Sequence, residues 1–246
     1  MSDTTVRFRV QRWKQGDAAP HDDRFDVEIE ARTTVLDGLV SIRRHQDPTL
    51  TLRHSCFHAS CGTCGMRING RERLACVTTV HELATDEVTV EPLANAPVVS
   101  DLVVDMAPFY SRFNPMERAL VRRSELVKGG TTAPGIEAPE RYEDCIECGI
   151  CVSACPIAGT DPQYLAPAAL AAADRTAEEP RGADVPLVLR LTDNEHGAWR
   201  CHMVFECSEA CPSNVDPGGH IMHLRGSLLR SRFGLGGSRA PAEARR

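Results

Sequence analysis

Cysteine constrains what this chain can fold into more than any other residue, because 246 residues contain 11 of them in short, regular runs. In a reducing compartment, a chain this rich in cysteine binds metal or carries out redox chemistry more often than it forms disulfides. The N-terminus shows no secretory signal, and no stretch approaches the apolar length that a membrane-spanning helix needs. We therefore expect a cytoplasmic protein whose thiols bind metal.

The composition is that of a globular protein. Hydrophobic residues make up 42% and charged residues 25% of the chain, which allows one large or two ordinary domains. The net charge of −6 argues against a general nucleic-acid binder. A basic C-terminal tail could lie near phospholipid or an acidic partner, or it could extend into solvent. This tail contains Arg225, Arg230, Arg232, Arg239, Arg245 and Arg246 against Glu243.

Alternating apolar and polar residues predict two strands at the start of the chain. The alternation runs over residues 6–13 and again over 25–29, and a turn at 20–23 joins the two strands into a hairpin. Thr33 or Thr34 then caps a helix that has an apolar stripe. We expect this strand–strand–helix opening to form a compact layer.

A second hairpin is predicted at Asn69-Gly70, which lies between two short strands and favours a type I′ turn. Residues 88–91 supply a further strand before Pro92. From about Asp101 onwards, apolar residues fall at helical spacings instead. The predicted helices cover residues 102–110, 120–127, 163–173 and 219–232.

The first cysteine run is Cys56-x4-Cys61-x2-Cys64, and Cys76 follows after 11 intervening residues. This is the plant-type spacing of a [2Fe–2S] cluster, in which a tight loop supplies three thiolates and a later segment returns the fourth. Gly62 suits such a loop, because a chain wrapped around sulfur needs unusual dihedral angles and inward N–H groups. We assign these four cysteines to [2Fe–2S]; a zinc site and scattered buried thiols are the alternatives.

Two histidines beside this run suggest another kind of cluster. Cys56-Phe57-His58 is similar to the Cys-x-His box of Rieske centres, where two histidines replace two cysteines on one iron. The second Rieske box is missing, and four cysteines already complete the coordination. His54 and His58 are therefore interpreted as residues around the cluster or at the surface.

The second run is Cys145-x2-Cys148-x2-Cys151-x3-Cys155-Pro156, the spacing of bacterial ferredoxins. In a domain with two clusters, the fourth cysteine of such a run binds the other cluster. A partner run is therefore expected elsewhere in the chain.

The partner run is Cys201-x5-Cys207-x3-Cys211-Pro212, in which Val204 stands where the template has its middle cysteine. A branched apolar side chain cannot bind iron, so one of the two sites has only three thiolates. We predict [3Fe–4S] at that site. A water or hydroxide on a fourth iron is one alternative, and cysteines that only pack in the core are another.

Crossing of the fourth cysteines divides the two runs between two clusters. One group of four thiolates holds [4Fe–4S], and the other three hold [3Fe–4S]. The [4Fe–4S] ligands are Cys145, Cys148, Cys151 and Cys211, and the [3Fe–4S] ligands are Cys155, Cys201 and Cys207. With the first run, these groups use all 11 cysteines.

The rest of the chain shows no substrate site. It has no Gly-rich phosphate loop, so we do not expect it to bind a dinucleotide flavin or nicotinamide by itself. Its histidines and carboxylates show no spacing that forces a nucleophile or an acid–base pair, so no catalytic residue is predicted. Iron–sulfur clusters pass single electrons, and three of them in one chain predict an electron conductor with a partner at each end.

In its length, its plant-type motif, its paired ferredoxin motifs and the gap at Val204, the chain resembles the iron–sulfur subunit of succinate dehydrogenase and fumarate reductase. The resemblance covers nearly the whole sequence. The phrases that carry it are Ser55-Cys56, Cys61-Gly62-Thr63-Cys64, Ile68-Asn69-Gly70, Leu74-Ala75-Cys76, Val90-Glu91-Pro92-Leu93, Asp101-Leu102-Val103-Val104-Asp105 and Ala198-Trp199-Arg200-Cys201.

With the change of pattern near residue 105, the resemblance implies an α+β fold of two domains. Residues 1–105 would form a plant-type ferredoxin domain of the β-grasp kind, which carries [2Fe–2S]. Residues 106–246 would form an all-α bacterial ferredoxin-like domain, which carries [4Fe–4S] and [3Fe–4S].

The resemblance also implies partners. The chain would lie between a flavoprotein with covalent FAD, which interconverts succinate and fumarate, and a membrane anchor that meets quinone. Electrons would run from FAD through [2Fe–2S], [4Fe–4S] and [3Fe–4S] to quinone, or in reverse. Such a subunit is peripheral, on the cytoplasmic face of the cell membrane.

A quinone pocket is the last feature that the resemblance implies, and its matching residues here are Pro156, His202 and Arg225. Many succinate dehydrogenases carry tryptophans shortly after the fourth cysteine of the ferredoxin run, but residues 157–161 contain none. Residues 161–170 look more like those of fumarate reductases. An ordinary interfacial role for His202 is the alternative.

Other functions fit the same cysteines. Related soluble oxidoreductases, such as thiol-dependent fumarate reductase and glycolate oxidase-like or heterodisulfide reductase-like complexes, also use paired cluster domains. A free-standing ferredoxin-like carrier and a zinc-binding structural protein are non-enzymatic alternatives.

Overall fold

The structure, a computed structural model of the chain, describes residues 4–117, 144–178 and 185–234. Strands dominate its N-terminal part and helices its C-terminal part, so the chain is of mixed α+β class as predicted. The predicted helix at 120–127 lies outside the described residues.

The chain divides into two compact units. The first consists of Met1–Phe109 with Ile146–Ala154, and the second of Tyr110–Cys145 with Cys155–Arg246. The first unit thus includes a short piece of chain from far along the sequence. The division into cluster-binding domains at residue 105 stays a prediction.

Five strands form one mixed sheet in the first unit. They are β1 (Thr4–Arg12), β2 (His21–Ile29), β3 (Gly65–Ile68), β4 (Arg71–Leu74) and β5 (Glu87–Glu91). Their order across the sheet is β2-β1-β5-β3-β4, with β1 and β5 parallel and the other neighbours antiparallel. Phe8 of β1 and Val88 of β5 are fully buried in the core under this sheet.

The turn between β1 and β2 lies at residues 13–20, so the prediction of a turn at 20–23 is wrong. β2 begins at His21, which pairs with Arg12. Arg12 Nη1 lies 2.9 Å from Asp23 Oδ2, and this ion pair across the strands keeps the start of β2 extended. A contact between strands therefore decides the conformation of residues whose local sequence favours a turn.

The hairpin predicted at Asn69-Gly70 is confirmed. β3 and β4 pair antiparallel around it, and both turn residues have positive φ, +50° for Asn69 and +76° for Gly70, as a type I′ turn requires. The Asn69 Oδ1 atom accepts a hydrogen bond of 2.7 Å from the Thr89 amide, which ties the turn to β5.

The predicted N-terminal helix is α1 (Val35–His45), and Thr34 is its cap. The Thr34 hydroxyl oxygen accepts a hydrogen bond of 3.1 Å from the Asp37 amide, and Asp37 Oδ2 accepts one of 3.0 Å from the Thr34 amide. This reciprocal pair satisfies two N–H groups that an uncapped helix leaves without partners. The apolar face of α1, which includes Leu39 and Ile42, is fully buried.

The helix predicted from residue 102 begins later than expected. Leu102 lies in a tight turn with Asp101, and the next residues form a short strand before the helix starts. These elements are β6 (Val98–Ser100), β7 (Val103–Val104) and α2 (Ala107–Glu117). Asp101 has φ of +45°, and its carboxylate accepts hydrogen bonds from the amides of Trp13 at 3.2 Å and Thr51 at 2.9 Å. Because these distant contacts fix Asp101 in a turn, the prediction is wrong for residues 102–106.

The remaining helices are short apart from two. They are α3 (Ile150–Ser153), α4 (Pro156–Thr160), α5 (Ala166–Ala177), α6 (Val185–Thr192), α7 (Glu206–Glu209) and α8 (Pro217–Arg232). The helices predicted at 163–173 and 219–232 correspond to α5 and α8. Among the described residues, no helix is long and apolar enough to cross a membrane.

α5 and α8 pack together in the core of the second unit. Leu170, Ile221 and Leu224 are fully buried there. Between the helices, the buried carboxylate of Asp174 lies 2.8 Å from His220 Nδ1 and 2.9 Å from an imidazole nitrogen of the next turn, His223 Nδ1. The two helices are therefore joined by polar contacts as well as by apolar ones.

Gly38 of α1 allows a close approach, and its replacement by alanine is expected to destabilise the protein. An added Cβ would lie 2.4 Å from Cζ of Phe8, a ring that is fully buried. Overpacking of this kind costs about 1–3 kcal/mol, which exceeds the gain of up to about 1 kcal/mol in helix propensity. Gly226→Ala in α8 is the matched control.

The control variant Gly226→Ala should be more stable than the parent protein, not less. A Cβ at Gly226 would meet nothing nearer than Arg230 Nη1 at 3.4 Å, so only the gain in helix propensity remains. Chemical denaturation of the two variants measures both free energies of unfolding. Equal stability of Gly38→Ala and the parent would contradict the packing of α1 on Phe8.

Candidate metal centres

The four cysteines of the first run lie in the first unit, in a loop ahead of β3 and just after β4. The loop departs from ordinary backbone geometry, because Phe57, Ala59 and Gly62 have φ of +62°, +60° and +69°. Such a conformation costs energy for residues with a side chain. It turns the peptide N–H groups toward the thiols.

Three backbone amides donate to sulfur in this loop. The amides of His58 and Ser60 lie 3.5 Å and 3.3 Å from Cys56 Sγ, and the Ala59 amide lies 3.3 Å from Cys76 Sγ. N–H donors aimed at sulfur stabilise negative charge there. The loop is therefore built to surround sulfur that carries charge.

The thiols of this group also interact with one another. The amide of His58, more than any other cause, lowers the pKa of Cys56 to about 7, and a hydrogen bond with Cys61 helps to lower it. Burial raises the pKa of Cys64 to about 12, and the sulfurs of Cys76 and Cys61 raise it further. Four thiolates cannot share this space without a compensating cation, because their charges repel in a partly buried site. The donor set thus fits an iron–sulfur centre.

The two histidines beside this loop have other contacts. His58 Nδ1 is paired with the carbonyl oxygen of Cys56. The His54 ring packs edge-on against Phe57, with ring centroids 5.3 Å apart.

The ferredoxin run at 145–155 is shared between the two units. Cys148 and Cys151 belong to the first unit, whereas Cys145 and Cys155 belong to the second. This is the feature that the sequence did not reveal, since the run reads as one continuous motif.

The segment with α3 is held firmly in the first unit. The Ser153 hydroxyl accepts a hydrogen bond of 2.7 Å from the Ala94 amide and donates one of 3.0 Å to Glu72 Oε1. The Asn95 side-chain amide donates to the carbonyl oxygen of Val152 at 2.9 Å. Ile150 is fully buried. Polar and apolar contacts together fix this segment on the sheet unit.

The first cysteine loop directly touches this segment at Gly62. A Cβ at Gly62 would lie 2.7 Å from Cys148 Cβ and 2.9 Å from the carbonyl oxygen of Ile146. Only a glycine fits at that distance. A residue between two ligands of the first group is thus in backbone contact with a predicted ligand of the second.

A third group of thiols lies within the second unit and consists of Cys155, Cys201 and Cys207. Burial raises the pKa of Cys207 to about 12, and the charges of Cys155 and Cys201 raise it further. Burial is also the main cause that raises the pKa of Cys155, to which Cys201 again adds. The three thiols therefore interact electrostatically with one another, and repulsion between their thiolates in a buried site favours a cation among them.

Val204 lies in an exposed stretch between two of these cysteines. Its neighbours Met203 and Phe205 have φ of +58° and +66°, and the Met203 amide lies 3.4 Å from Cys201 Sγ. Val204 itself is 52% exposed. The loop resembles the first one in its left-handed residues and its amide-to-sulfur contact, which the spacing alone did not predict.

Two of the three predicted quinone residues are exposed. Pro156 is the first residue of α4, and His202 directly follows Cys201. Arg225 is partly buried, and its guanidinium donates to the carbonyl oxygens of Ala198 at 2.8 Å and Cys201 at 2.5 Å. Arg225 is thus occupied in holding the backbone at Ala198 and Cys201.

The described residues of the basic tail are parts of α8 with partners. The guanidinium carbons of Arg225 and Arg232 lie over the Trp199 ring, 5.6 Å and 5.3 Å from its centroid. Arg232 Nη2 lies 2.6 Å from Asp193 Oδ1, which also accepts a hydrogen bond of 2.6 Å from Trp199 Nε1. Arg230 donates to the Ser227 hydroxyl at 2.9 Å. The tail's other members are outside the described residues: Arg239, Glu243, Arg245 and Arg246.

Within the described ranges, no group of three or more His, Cys, Asp or Glu side chains is gathered tightly around the position of a single metal ion. The thiols interact pairwise over wider groups instead.

Comparisons with known proteins agree with both groups of motifs. Residues 7–111 match the 2Fe-2S iron-sulfur cluster binding domain, and residues 141–215 match the 4Fe-4S dicluster domain. A chain of the Mycobacterium smegmatis Sdh1 complex in the apo form has the same fold, with a TM-score of 0.82 at 22% identity over 94% of this chain and 98% of that one.

Relatives of similar length carry the resemblance at the level of sequence. The fumarate reductase iron-sulfur subunit of Mycobacterium tuberculosis is 40% identical over 228 residues, which cover 89% of this chain and 91% of that protein. The mitochondrial succinate dehydrogenase [ubiquinone] iron-sulfur subunit 1 of rice, Oryza sativa, is 35% identical over 225 residues, 88% of this chain and 80% of that protein. The resemblance predicted from the motifs is confirmed: this chain belongs to the family of fumarate reductase and succinate dehydrogenase iron–sulfur subunits.

Proposed function

We propose that the chain is the electron-transfer subunit of a succinate:quinone oxidoreductase, bound between a flavoprotein subunit and a membrane anchor. The observation that carries this proposal is the match to iron–sulfur subunits over about nine-tenths of both chains. The substrate chemistry belongs to the flavoprotein, since no catalytic residue is predicted here. The iron–sulfur clusters supply one-electron transfer between FAD and quinone when they are bound.

The cluster ligands that we propose are the three groups predicted from spacing. Cys56, Cys61, Cys64 and Cys76 hold [2Fe–2S], and three inward amides in their loop support this assignment. The assignment of Cys155, Cys201 and Cys207 to [3Fe–4S] is supported by the mutual interaction of their thiols. For [4Fe–4S] the proposed ligands are Cys145, Cys148, Cys151 and Cys211.

The protein contributes three things to the clusters. Buried thiols keep water away from sulfur, and Cys64, Cys155 and Cys207 are the most buried of the proposed ligands together with Cys76. Amide donors stabilise negative charge on sulfur and so favour the reduced state. The contact of Gly62 with Cys148 keeps a ligand of one cluster close to the loop of another, which suits transfer of single electrons.

We further propose the finer features of the fold and of the quinone end. The order of the sheet supports a β-grasp domain for residues 1–105, with an all-α ferredoxin-like domain in 106–246. Pro156 and His202 are exposed and can meet quinone at the anchor, whereas Arg225 acts there through the backbone that it holds. The subunit would be peripheral, on the cytoplasmic face of the membrane.

The test is to purify the chain anaerobically with whatever binds it. The proposal expects about nine iron atoms per chain, a co-purifying protein with covalent FAD and a hydrophobic anchor subunit. Reduction by succinate should change the low-temperature paramagnetic resonance spectrum. Predominant zinc, or a preparation free of iron, would overturn the cluster assignment. A cysteine-rich partner without an anchor would favour the related soluble oxidoreductases instead.

A further inference from the structure

Tyr164 places a hydroxyl group in the core of the second unit without an ordinary partner. The side chain is only 1% exposed. Among the residues that the structure describes, no atom satisfies its Oη with a well-formed hydrogen bond. Since a buried hydroxyl without a partner destabilises the folded state, and a phenylalanine would fill the same volume, the oxygen at this position needs an explanation.

The backbone around Tyr164 holds the ring in one place. Its amide donates to the carbonyl oxygen of Asp161 at 3.1 Å, and the next amide, of Leu165, donates to the carbonyl oxygen of His196 at 2.9 Å. The Asp161 carboxylate fixes this turn from the other side, because it lies 3.0 Å from His196 Nδ1 and 2.9 Å from Arg200 Nε. With the backbone fixed here and the side chain only 1% exposed, the hydroxyl has no access to bulk water.

Three cysteines act electrostatically on the hydroxyl. Burial raises the pKa of Tyr164 well above its ordinary value, and the charges of Cys201, Cys155 and Cys207 raise it further. Of these three cysteines, Cys201 is the one whose side chain acts on the hydroxyl as a hydrogen-bonding group, without reaching the geometry of an ordinary hydrogen bond. A tyrosine phenol is neutral at ordinary pH, so its O–H is available as a donor to a negatively charged acceptor.

We infer that the Tyr164 hydroxyl donates a hydrogen bond to the Cys201 thiolate of the three-cysteine site and raises the reduction potential of the cluster bound there. The inference rests on the proposed function, because it needs that site to hold [3Fe–4S]. A hydrogen bond to sulfur stabilises the reduced cluster more than the oxidised one, since the reduced cluster carries more negative charge. Tyr164 is thus a residue that sets the potential at the quinone end of the chain.

The experiment is a redox titration of the purified complex and of its Tyr164→Phe variant, followed by low-temperature paramagnetic resonance. Removing the hydroxyl should shift the [3Fe–4S] equilibrium toward the oxidised form by about tenfold, which for one electron is a potential lower by about 59 mV. The iron content should not change, because phenylalanine fills the same space.

A second measurement reports the hydrogen bond itself. In the parent complex, electron–nuclear double resonance of the oxidised [3Fe–4S] signal should show the coupling of one exchangeable proton. Exchange into D2O should remove this coupling. That coupling should be absent from Tyr164→Phe before any exchange. A purely structural role for the ring would not change this readout.

Two controls separate this effect from a general disturbance. The [2Fe–2S] potential in the same variant should be unchanged, because its proposed ligands belong to the other unit. Tyr110→Phe removes a hydroxyl from a side chain that is 38% exposed and should leave all potentials as they were.

Each outcome decides between the two proposals. If the parent complex shows no [3Fe–4S] signal, the assignment of the third cluster fails. If the signal is present and Tyr164→Phe changes neither its potential nor its proton coupling, the hydrogen bond is refuted while the cluster assignment stands. If Tyr164→Phe loses the cluster altogether, the hydroxyl serves assembly, and the inference about potential is overturned.

Discussion

Val204→Cys is expected to convert the three-iron centre into a four-iron centre. The chain offers three thiols at this site, and Val204 stands at the position where the ferredoxin template has its middle cysteine. Val204 is 52% exposed, so its replacement by a smaller polar side chain should change the free energy of unfolding by no more than about 0.5 kcal/mol. The new thiolate then binds one further iron.

The paramagnetic resonance spectrum measures the conversion. Oxidised [3Fe–4S] gives a low-temperature signal that the variant should lose, and a signal of a reduced [4Fe–4S] cluster should replace it. Iron should rise by about one atom per chain. An unchanged signal of the oxidised protein would show that the crossing of the fourth cysteines is assigned wrongly.

Two control variants test whether the position of the new thiol matters. Val204→Ala removes the branched side chain without adding a ligand, and it should keep the three-iron signal. Met203→Cys adds the same thiol one residue earlier, on a side chain that is 55% exposed and has left-handed backbone geometry. If Met203→Cys also forms a four-iron cluster, the position of the added thiol along the sequence does not decide which cluster the site binds.

The sequence predicted the features of this protein that depend only on residues close together in the chain. Asn69-Gly70 predicted its hairpin because a type I′ turn depends on two residues only, and Thr34 predicted the start of α1 because a capping box lies within four residues. Cysteine spacing predicted the membership of the family for the same reason. These features need no knowledge of the rest of the chain.

The features that the sequence did not predict depend on distant contacts. The local sequence at His21 and Asp23 favours a turn, but the ion pair of Asp23 with Arg12 holds these residues in a strand. The local sequence after Asp101 favours a helix, but the hydrogen bonds of Asp101 with Trp13 and Thr51 hold it in a turn. The surroundings of the Tyr164 hydroxyl are another feature that the sequence did not predict. Nothing in its neighbours along the chain shows that Cys155, Cys201 and Cys207 act electrostatically on it.

The division of the 145–155 run is the most instructive of these differences. Spacing treats the four cysteines as one motif, yet the structure packs Cys148 and Cys151 with the sheet unit through α3. The contacts of Ser153 with Ala94 and Glu72 explain this, and no periodicity in the sequence reports them. The same arrangement brings Cys148 to Gly62 and leads to the prediction that follows.

Gly62→Ala is expected to damage the first two clusters while it leaves the third intact. The added Cβ would lie 2.7 Å from Cys148 Cβ and 2.9 Å from Cys148 Cα, so the backbone of one cysteine loop must move away from the other. Both loops carry proposed ligands, and a shifted thiolate no longer fits its iron. The [2Fe–2S] and [4Fe–4S] signals should therefore shrink or broaden, and iron should fall by up to about six atoms per chain.

Gly70→Ala separates this steric effect from the cost of left-handed backbone. Gly70 has φ of +76°, close to the +69° of Gly62, but a Cβ there would meet nothing within 4 Å. Both variants should lose about 1–2 kcal/mol of stability from backbone strain, whereas only Gly62→Ala should also lose iron. Iron content and paramagnetic resonance of the two purified complexes, together with thermal unfolding, measure the difference. Full cluster content in Gly62→Ala would contradict the contact between the two cysteine loops, and equal loss in both variants would assign the damage to backbone strain alone.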